Sequence, residues 1–478
     1  MQAVFSEYLA SIADGMKEFI RILQEKYDYV SVLSTDSAGW TVSISQKSCA
    51  VSHRTMMTER GNVVRVHKDG LYSEYAFNRF DPADVRGVAE EAMSALDASL
   101  DLIRATGTEV YDTPALPDEP ANVFTEMETG EMPENADLDA LVKMLKEISD
   151  ESMRAGTEMI DCQLRAQSTH VCKMFLSPNR DMRQSYVYSE GMVLPVVMKD
   201  GKTVFSFAGV SGRKGSEIFS GLRQKAAAAV HSAHELADAD PVEPGEYTVI
   251  TSPEVSGLIA HEAFGHGVEM DMFVKDRALG AEYIGKRVGS DLVTMHEGAA
   301  CAEEVASYAF DDEGTLAGDT VEIRNGILET GVCDALAALR LGTQPTGNGK
   351  RENFEHKVYT RMTNTVFDSG SEYSAEYLIR SVDYGYLLCG MESGMEDPKH
   401  WGIQCIVERG YEIRGGKLTG KVVAPVVMTG YVPDLLKSVS MISTDRELFG
   451  NGGCGKGHKE WVKVSDGGPY MKARVRLG

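Results

Sequence analysis

The sequence predicts an α+β protein of two domains. Stretches with apolar residues at helical spacing mix with runs of β-type residues in no strict alternation. No internal repeat of fixed period and no low-complexity tract interrupts that pattern. The stretch Asp-Ala-Asp-Pro-Val-Glu-Pro-Gly at 238–245 breaks the chain near its middle, because proline ends a helix and glycine lets the backbone turn. The expected domains are therefore 1–240 and 241–478, each α+β.

Along the chain, Phe5, Leu9, Ile12, Met16, Phe19, Ile20 and Leu23 share one face of a helix over roughly 4–26. Strand-like runs come next at 29–33, 40–44 and 63–66, then a long helix over 83–106 closed by Gly107. Residues 112–136, rich in proline and acid and without periodicity, are expected to form a loop or surface arm. A helix at about 138–155 precedes strands to about 210, with Asp200-Gly201 as a hairpin turn. An alanine-rich helix covers 216–237. Past the break, the pattern predicts a strand at 247–251, a helix carrying two histidines, and strands at 307–310, 320–323, 403–413 and 422–428.

Composition excludes several functions. With 48 Lys+Arg against 72 Asp+Glu the formal charge is −24. Such a surface repels phosphate backbones, and no basic stripe offsets it, so nucleic acid is not the expected partner. No apolar run approaches the roughly 20 residues of a membrane span. The first residues carry no basic stretch followed by an apolar core, so no signal peptide is expected. Eight cysteines without CxxC or framework spacing suggest reduced thiols in a cytoplasm.

The chemistry-bearing stretch is Gly-Leu-Ile-Ala-His-Glu-Ala-Phe-Gly-His-Gly at 257–267, with His261, Glu262 and His266 in an HExxxH pattern. Zinc helices usually space their histidines four apart, on one face. Five residues advance about 500° on an α-helix, leaving the imidazoles about 140° apart. A π turn, with about 4.4 residues, cuts the offset to about 50°; unwinding at Gly265 would serve as well. A distorted helix is expected. If both histidines hold one ion, Glu262 stands beside it, placed to take a proton from water. Chance pairs or core histidines produce the same spacing.

Five residues compete as third ligand: Glu269, Asp271, His296, Cys454 and His458. Glu269 and Asp271 read more naturally as solvated acids after a helix, and His296 as a turn residue. Cys454 lies in Gly-Asn-Gly-Gly-Cys-Gly-Lys-Gly, 450–457, where glycines leave the thiol accessible and Lys456 would favour the thiolate. The same loop fits GxxxxGK, but Gly457 stands where a phosphate loop needs Ser or Thr, and too few residues remain after it for the βαβ unit.

Taken together, these motifs resemble the TldD/PmbA family, in its metal-bearing TldD branch. The resemblance rests on His-Glu-Ala-Phe-Gly-His-Gly-Val-Glu (261–269), Ser-Tyr-Ala-Phe-Asp-Asp-Glu-Gly-Thr (307–315) and Pro-Thr-Gly-Asn-Gly-Lys-Arg (345–351). Arg-Met-Thr-Asn-Thr (361–365), Glu-Arg-Gly-Tyr-Glu-Ile (408–413), Cys-Gly-Lys-Gly (454–457) and Gly-Gly-Pro (467–469) extend it. Val-Val-Arg-Val-His-Lys-Asp-Gly (63–70) looks like a diverged form of the family's arginine-containing hairpin.

The resemblance implies one Zn2+ per chain held by His261, His266 and Cys454, with Glu262 catalytic. It implies a fold of two α+β domains, the N-terminal one enclosing substrate or forming the dimer. It further implies a cytoplasmic peptidase acting on unstructured peptides, in maturation, leader removal or degradation. The expected partner is a second copy or a PmbA/TldE-type paralogue. Tyr308, Arg361 and Asn364 are candidates for substrate contact, with structural roles as the alternative. Another zinc amidohydrolase or exopeptidase, or a non-enzymatic modulator of a protein partner, are the competing functions.

Overall fold

In the computed structural model, which describes residues 1–106, 112–456 and 460–478, the fold is α+β and built on two large sheets. The nine-stranded sheet runs in the order 71–77, 59–68, 29–44, 159–176, 180–199, 121–126. Strand Tyr29–Ile44 is buried almost throughout, and its alternation explains why. Val30, Val32, Trp40, Val42 and Ile44 face four helices, Glu7–Gln24, Val85–Ala105, Leu138–Met153 and Leu222–Asp238. Leu33, on the opposite face, packs with Phe175 and with Phe310 from the C-terminal half. A sheet covered on both faces loses the apolar/polar alternation that marks a half-exposed strand. For that reason the expected runs 29–33 and 40–44 are one strand.

The second sheet has eleven strands. Five of them close on themselves: Gly245–Thr251 pairs with Tyr384–Asp397 on one side and Ser465–Leu477 on the other. Gly402–Arg414 and Val426–Tyr431 complete the circuit. A closed ring leaves few edges and encloses side chains. Val249, Leu388, Val407, Met428, Met471 and Ala473 form one core with Val255, Leu258, Ile259, Ala263 and Phe264 of the histidine-bearing segment. That core fixes where the segment sits.

Several expectations change. The arm over 112–136 contains a strand, Ala121–Glu126, parallel to residues 180–185 at the sheet edge; the β-prone Val123-Phe124-Thr125 outweighs its acidic flanks. Residues 307–310 form no strand, since Ala309 N–H donates to Gln184 Oε1 at 2.8 Å and only Phe310 bridges, to Leu316. The run 422–428 splits at Ala424-Pro425 into two strands, as proline brings no N–H to a ladder. His296 lies in strand Met295–Glu297, not in a turn. Asp200 and Gly201 take positive φ of 50° and 80°, the hairpin geometry their types favour. The expected helix closure at Gly107 and the ligand candidate His458 fall outside the described residues.

The halves meet through buried charge. Arg65 pairs with Glu74 at 2.6 Å and with Glu313, Lys173 pairs with Asp312, and Arg351 reaches Glu74 at 2.5 Å. The two Arg guanidinium groups hold the Glu74 carboxyl at about 2 against the opposing effect of burial.

Candidate metal centre

The two histidines lie on a helix that changes type twice. Pro253–Leu258 is α-helical, capped by Ser252, whose side chain accepts the Val255 N–H. Ile259–Phe264 is a π-helix, and Gly265–Val268 continues as a 3₁₀ turn. Widening the helix over His261 removes much of the angular offset that five residues impose. The ring centroids stand 5.3 Å apart at 82°.

Glycine does a different job here from the one its flexibility suggests. Gly265 has an ordinary φ of −58°. A Cβ at Gly265 would lie 2.2 Å from Met362 Sδ, and one at Gly267 would lie 2.2 Å from Trp401 Nε1 and 2.3 Å from Glu396 Oε1. Both positions are glycine because neighbours press on the main chain. Glu396 Oε2 accepts the Gly267 N–H at 2.9 Å.

Cys454 comes from the short hairpin Gly453–Lys456 with Glu460–Lys463. Donor atoms of His261, His266 and Cys454 all lie within 4.8 Å of one another, and Cys454 Sγ is 3.4 Å from His266 Nε2. Each imidazole is oriented through its other nitrogen. His266 Nδ1 donates to Glu269 Oε2 at 3.0 Å. His261 Nδ1 makes a long 3.5 Å contact to Thr365 Oγ1, which donates to Glu297 Oε2 at 2.6 Å. Glu297 Oε1 accepts from Thr363 N and Oγ1 and from Asn348 Nδ2, at 2.6 to 3.1 Å. Carboxylates behind histidines fix the tautomer that turns Nε2 toward a metal.

Among the described residues, His261 Nε2 is buried with no hydrogen-bond partner. A buried nitrogen so placed costs free energy unless something binds it. Two Nε2 atoms and one thiolate form the donor set of a three-ligand zinc site with an open fourth position. The residues fit the ion. Electrostatics agree: burial alone would raise the Cys454 thiol, but His266 and His261 outweigh it and hold it well below its ordinary value. Burial would lower His261, yet the Cys454 thiolate more than offsets this and raises it to about 9.

Glu262 comes directly after His261 on the π turn, its Oε2 3.8 Å from His266 Nε2 and its side chain 26% exposed. It is thus open to solvent where both metal-facing nitrogens converge. Gly394 packs against it, so closely that a Cβ there would be 2.5 Å from Glu262 Cβ.

The other candidates have different surroundings. Glu269 and Asp271 are buried, not solvated; Lys456 Nζ reaches them at 3.1 and 2.7 Å. Lys456 is therefore committed to carboxylates, and the imidazoles are what favour the Cys454 thiolate. His296 pairs with Asp319 at 2.7 Å, apart from the cluster. Tyr308, Arg361 and Asn364 make hydrogen bonds within the protein, with Arg361 Nε left buried and without a partner among the described residues. Tyr308 Oη donates to Gly347 O at 2.7 Å. Arg361 donates to Cys454 O at 2.7 Å and Glu460 O at 2.8 Å, tying down the cysteine hairpin. Asn364 bonds Gly298 O and Ser307 Oγ. The motif 361–365 touches the centre through Arg361, at the Cys454 carbonyl, and through Thr363 and Thr365, at Glu297. Period-two alternation puts these on the face opposite Asn364, and it is the one signal that could have found them. Glu297 had no such signal.

The sequence model of the PmbA/TldA metallopeptidase C-terminal domain matches residues 244–474. A protein named a metalloprotease from Methanocaldococcus jannaschii is 34% identical over 51% of this chain and 53% of its own. Another so named, from Synechocystis, is 27% identical over 98% of each chain. The match thus spans about half the length of the archaeal relative and nearly all of the cyanobacterial one. The fold is that of the crystal structure of TldE from Thermococcus kodakarensis, with TM-score 0.78 and 19% identity over 97% of this chain and 100% of that one. The C-terminal half is of the metallopeptidase class. Residues 244–474 carry the C-terminal domain of the TldD/PmbA family.

Proposed function

We propose that the protein is a zinc peptidase that hydrolyses unfolded or extended peptides, with one Zn2+ per chain held by His261, His266 and Cys454. The observation that carries this reading is the convergence of two imidazole nitrogens and a thiol within 4.8 Å, one nitrogen buried and unpartnered among the described residues. When bound, zinc supplies a Lewis acid that polarises a carbonyl and makes water a better nucleophile at neutral pH. Glu262 takes the proton of the attacking water and passes it to the leaving amine. Glu269 and the Thr365–Glu297 pair keep both imidazoles in the tautomer the metal needs.

The strand Tyr384–Asp397 pairs with Gly245–Thr251 only through residues 385–388. Among the described residues its later part has no strand partner on that side, and it passes Glu262 at Gly394. An unpaired strand edge can hold an extended chain through main-chain hydrogen bonds, which suits unfolded substrates of varied sequence. The reading includes action in the cytoplasm, in peptide maturation, leader removal or degradation. It also includes assembly as a homodimer or with a PmbA/TldE-type paralogue.

The test compares the unaltered protein with Glu262→Gln. Elemental analysis should find about one zinc per chain in both, and mass spectrometry of a digested unfolded peptide should show cleavage reduced by at least about 10²-fold in the variant. Undiminished cleavage removes Glu262 as the base. Absence of bound zinc from the unaltered protein removes the whole reading.

A further inference from the structure

Beside the metal centre lies a cleft of 440 Å³ that peptide hydrolysis at the metal does not itself use. Leu194, Phe205 and Phe207 line it from the N-terminal half; Met391 and Phe449 line it from the C-terminal half. Phe205 is 52% exposed and Phe207 37%. Two aromatic side chains left in water at the mouth of one cleft each forgo part of the 150–250 Å² that such a ring buries when covered, and contiguous apolar surface of this kind marks binding.

Position relates the cleft to the reaction. Ser393, in its wall, directly precedes Gly394, on which Glu262 packs. Gly452, also in its wall, stands two residues before Cys454. The same wall includes Gly390 to Ser393, on the part of strand Tyr384–Asp397 left unpaired by Gly245–Thr251. A peptide strand laid along that edge would direct alternate side chains into the cleft.

Charge narrows the occupant. Glu254, Glu392 and Glu408 line the cleft. Glu408 is buried and paired with Arg409, and Glu254 has Arg409 and Lys225 nearby, which leaves Glu392 as the exposed carboxylate of the wall. Apolar walls with one exposed carboxylate, Glu392, beside them suit a bulky apolar side chain whose neighbour is basic, and oppose an acidic neighbour.

We propose that this cleft is a specificity pocket for the peptide substrate, receiving a large apolar side chain while Glu392 meets a basic residue beside it. The inference rests on the peptidase reading for the identity of its occupant. Phe205, Phe207 and Glu392 are specificity residues, outside the core, so their replacement leaves the fold intact.

The experiment uses labelled decapeptides that differ at one central residue, Phe or Gly, and at its neighbour, Lys or Glu. They are titrated against full-length Glu262→Gln protein and digested with the unaltered protein. The Phe-Lys peptide should bind about tenfold tighter than Gly-Lys and several-fold tighter than Phe-Glu. The double change Phe205→Ala with Phe207→Ala should abolish the first preference, and Glu392→Lys should invert the second. Equal binding of Phe and Gly peptides, or a preference unmoved by the double change, overturns the pocket. Selective binding without cleavage of any peptide keeps the pocket and overturns the peptidase reading. Cleavage without selectivity keeps that reading and overturns the pocket.

Discussion

Two helical segments of this molecule solve opposite problems. Leu222–Asp238 buries Leu222, Ala226, Ala229, Val230, Ala233 and Leu236, a regular stripe that does nothing but pack against Val193 and Val197 of the first sheet. Pro253–Val268 is α, π and 3₁₀ in turn, and it buries His261 and, just beyond its end, Glu269. Regular helices place residues three and four apart on one face, so a core helix costs little to specify. Bringing residues five apart to one point breaks the hydrogen-bond period, and the neighbourhood must hold the break in place. Chemistry sits where regularity is given up, and surrounding packing supplies the support.

The irregular segment depends most on its distant partner, Cys454. Cys454→Ser should lower zinc from one per chain to a small fraction, measured by elemental analysis after dialysis, because a hydroxyl is a poor zinc donor beside a thiolate. Retention of stoichiometric zinc would assign the cysteine a bystander role. Glu269→Gln should weaken zinc affinity about 10–100-fold by loosening His266, as read by competition with a chelator. The same titration at several pH values supplies a third test. In the metal-free protein His261 holds its proton up to about 9, so zinc must displace it at neutral pH. Affinity should therefore fall as pH drops below about 9, by about tenfold per unit for each proton displaced. A flat profile would mean that the imidazoles are already neutral. The smallest effects set the two segments side by side in thermal or denaturant unfolding. Gly267→Ala should cost about 1–3 kcal/mol, because its Cβ meets Trp401 and Glu396. Ala227→Gly, on the exposed face of the regular helix, should cost only about 0.5–1 kcal/mol. Reversed magnitudes would show that neighbours do not press on the main chain at Gly267.

The fold was legible where side chains repeat with one face exposed. The long helices Glu7–Gln24, Val85–Ala105 and Leu138–Met153 match their apolar spacing to within a few residues. The one expected over 216–237 begins as a 3₁₀ turn, Ser216–Gly221, and is α-helical only over Leu222–Asp238. It was less legible where both faces are covered, as in Tyr29–Ile44, or where a loop is pinned by another element's side chain, as Ala309 is by Gln184. At the centre, the spacing of His261 and His266 implied a distorted helix because no regular one serves. Alternation separates Thr365 from Asn364 but does not say which face meets the metal centre, and nothing local singled out Glu297. Their roles come from a strand pairing, 295–297 with 365–367, that no local pattern encodes.

Three properties were already set by residue order: an HExxxH pair that meets at one point must distort its helix, the chain is strongly acidic, and a glycine-flanked thiol lies near the C-terminus. Folding in three dimensions made the other choices. It selected Cys454 as the donor that meets those imidazoles, gave Lys456 to Glu269 and Asp271, and opened an apolar cleft beside Glu262. The reason is physical. Local spacing governs residues within a turn or two, whereas a site joining positions 261 and 454 exists only once a closed ring of strands has brought them within ångströms of each other.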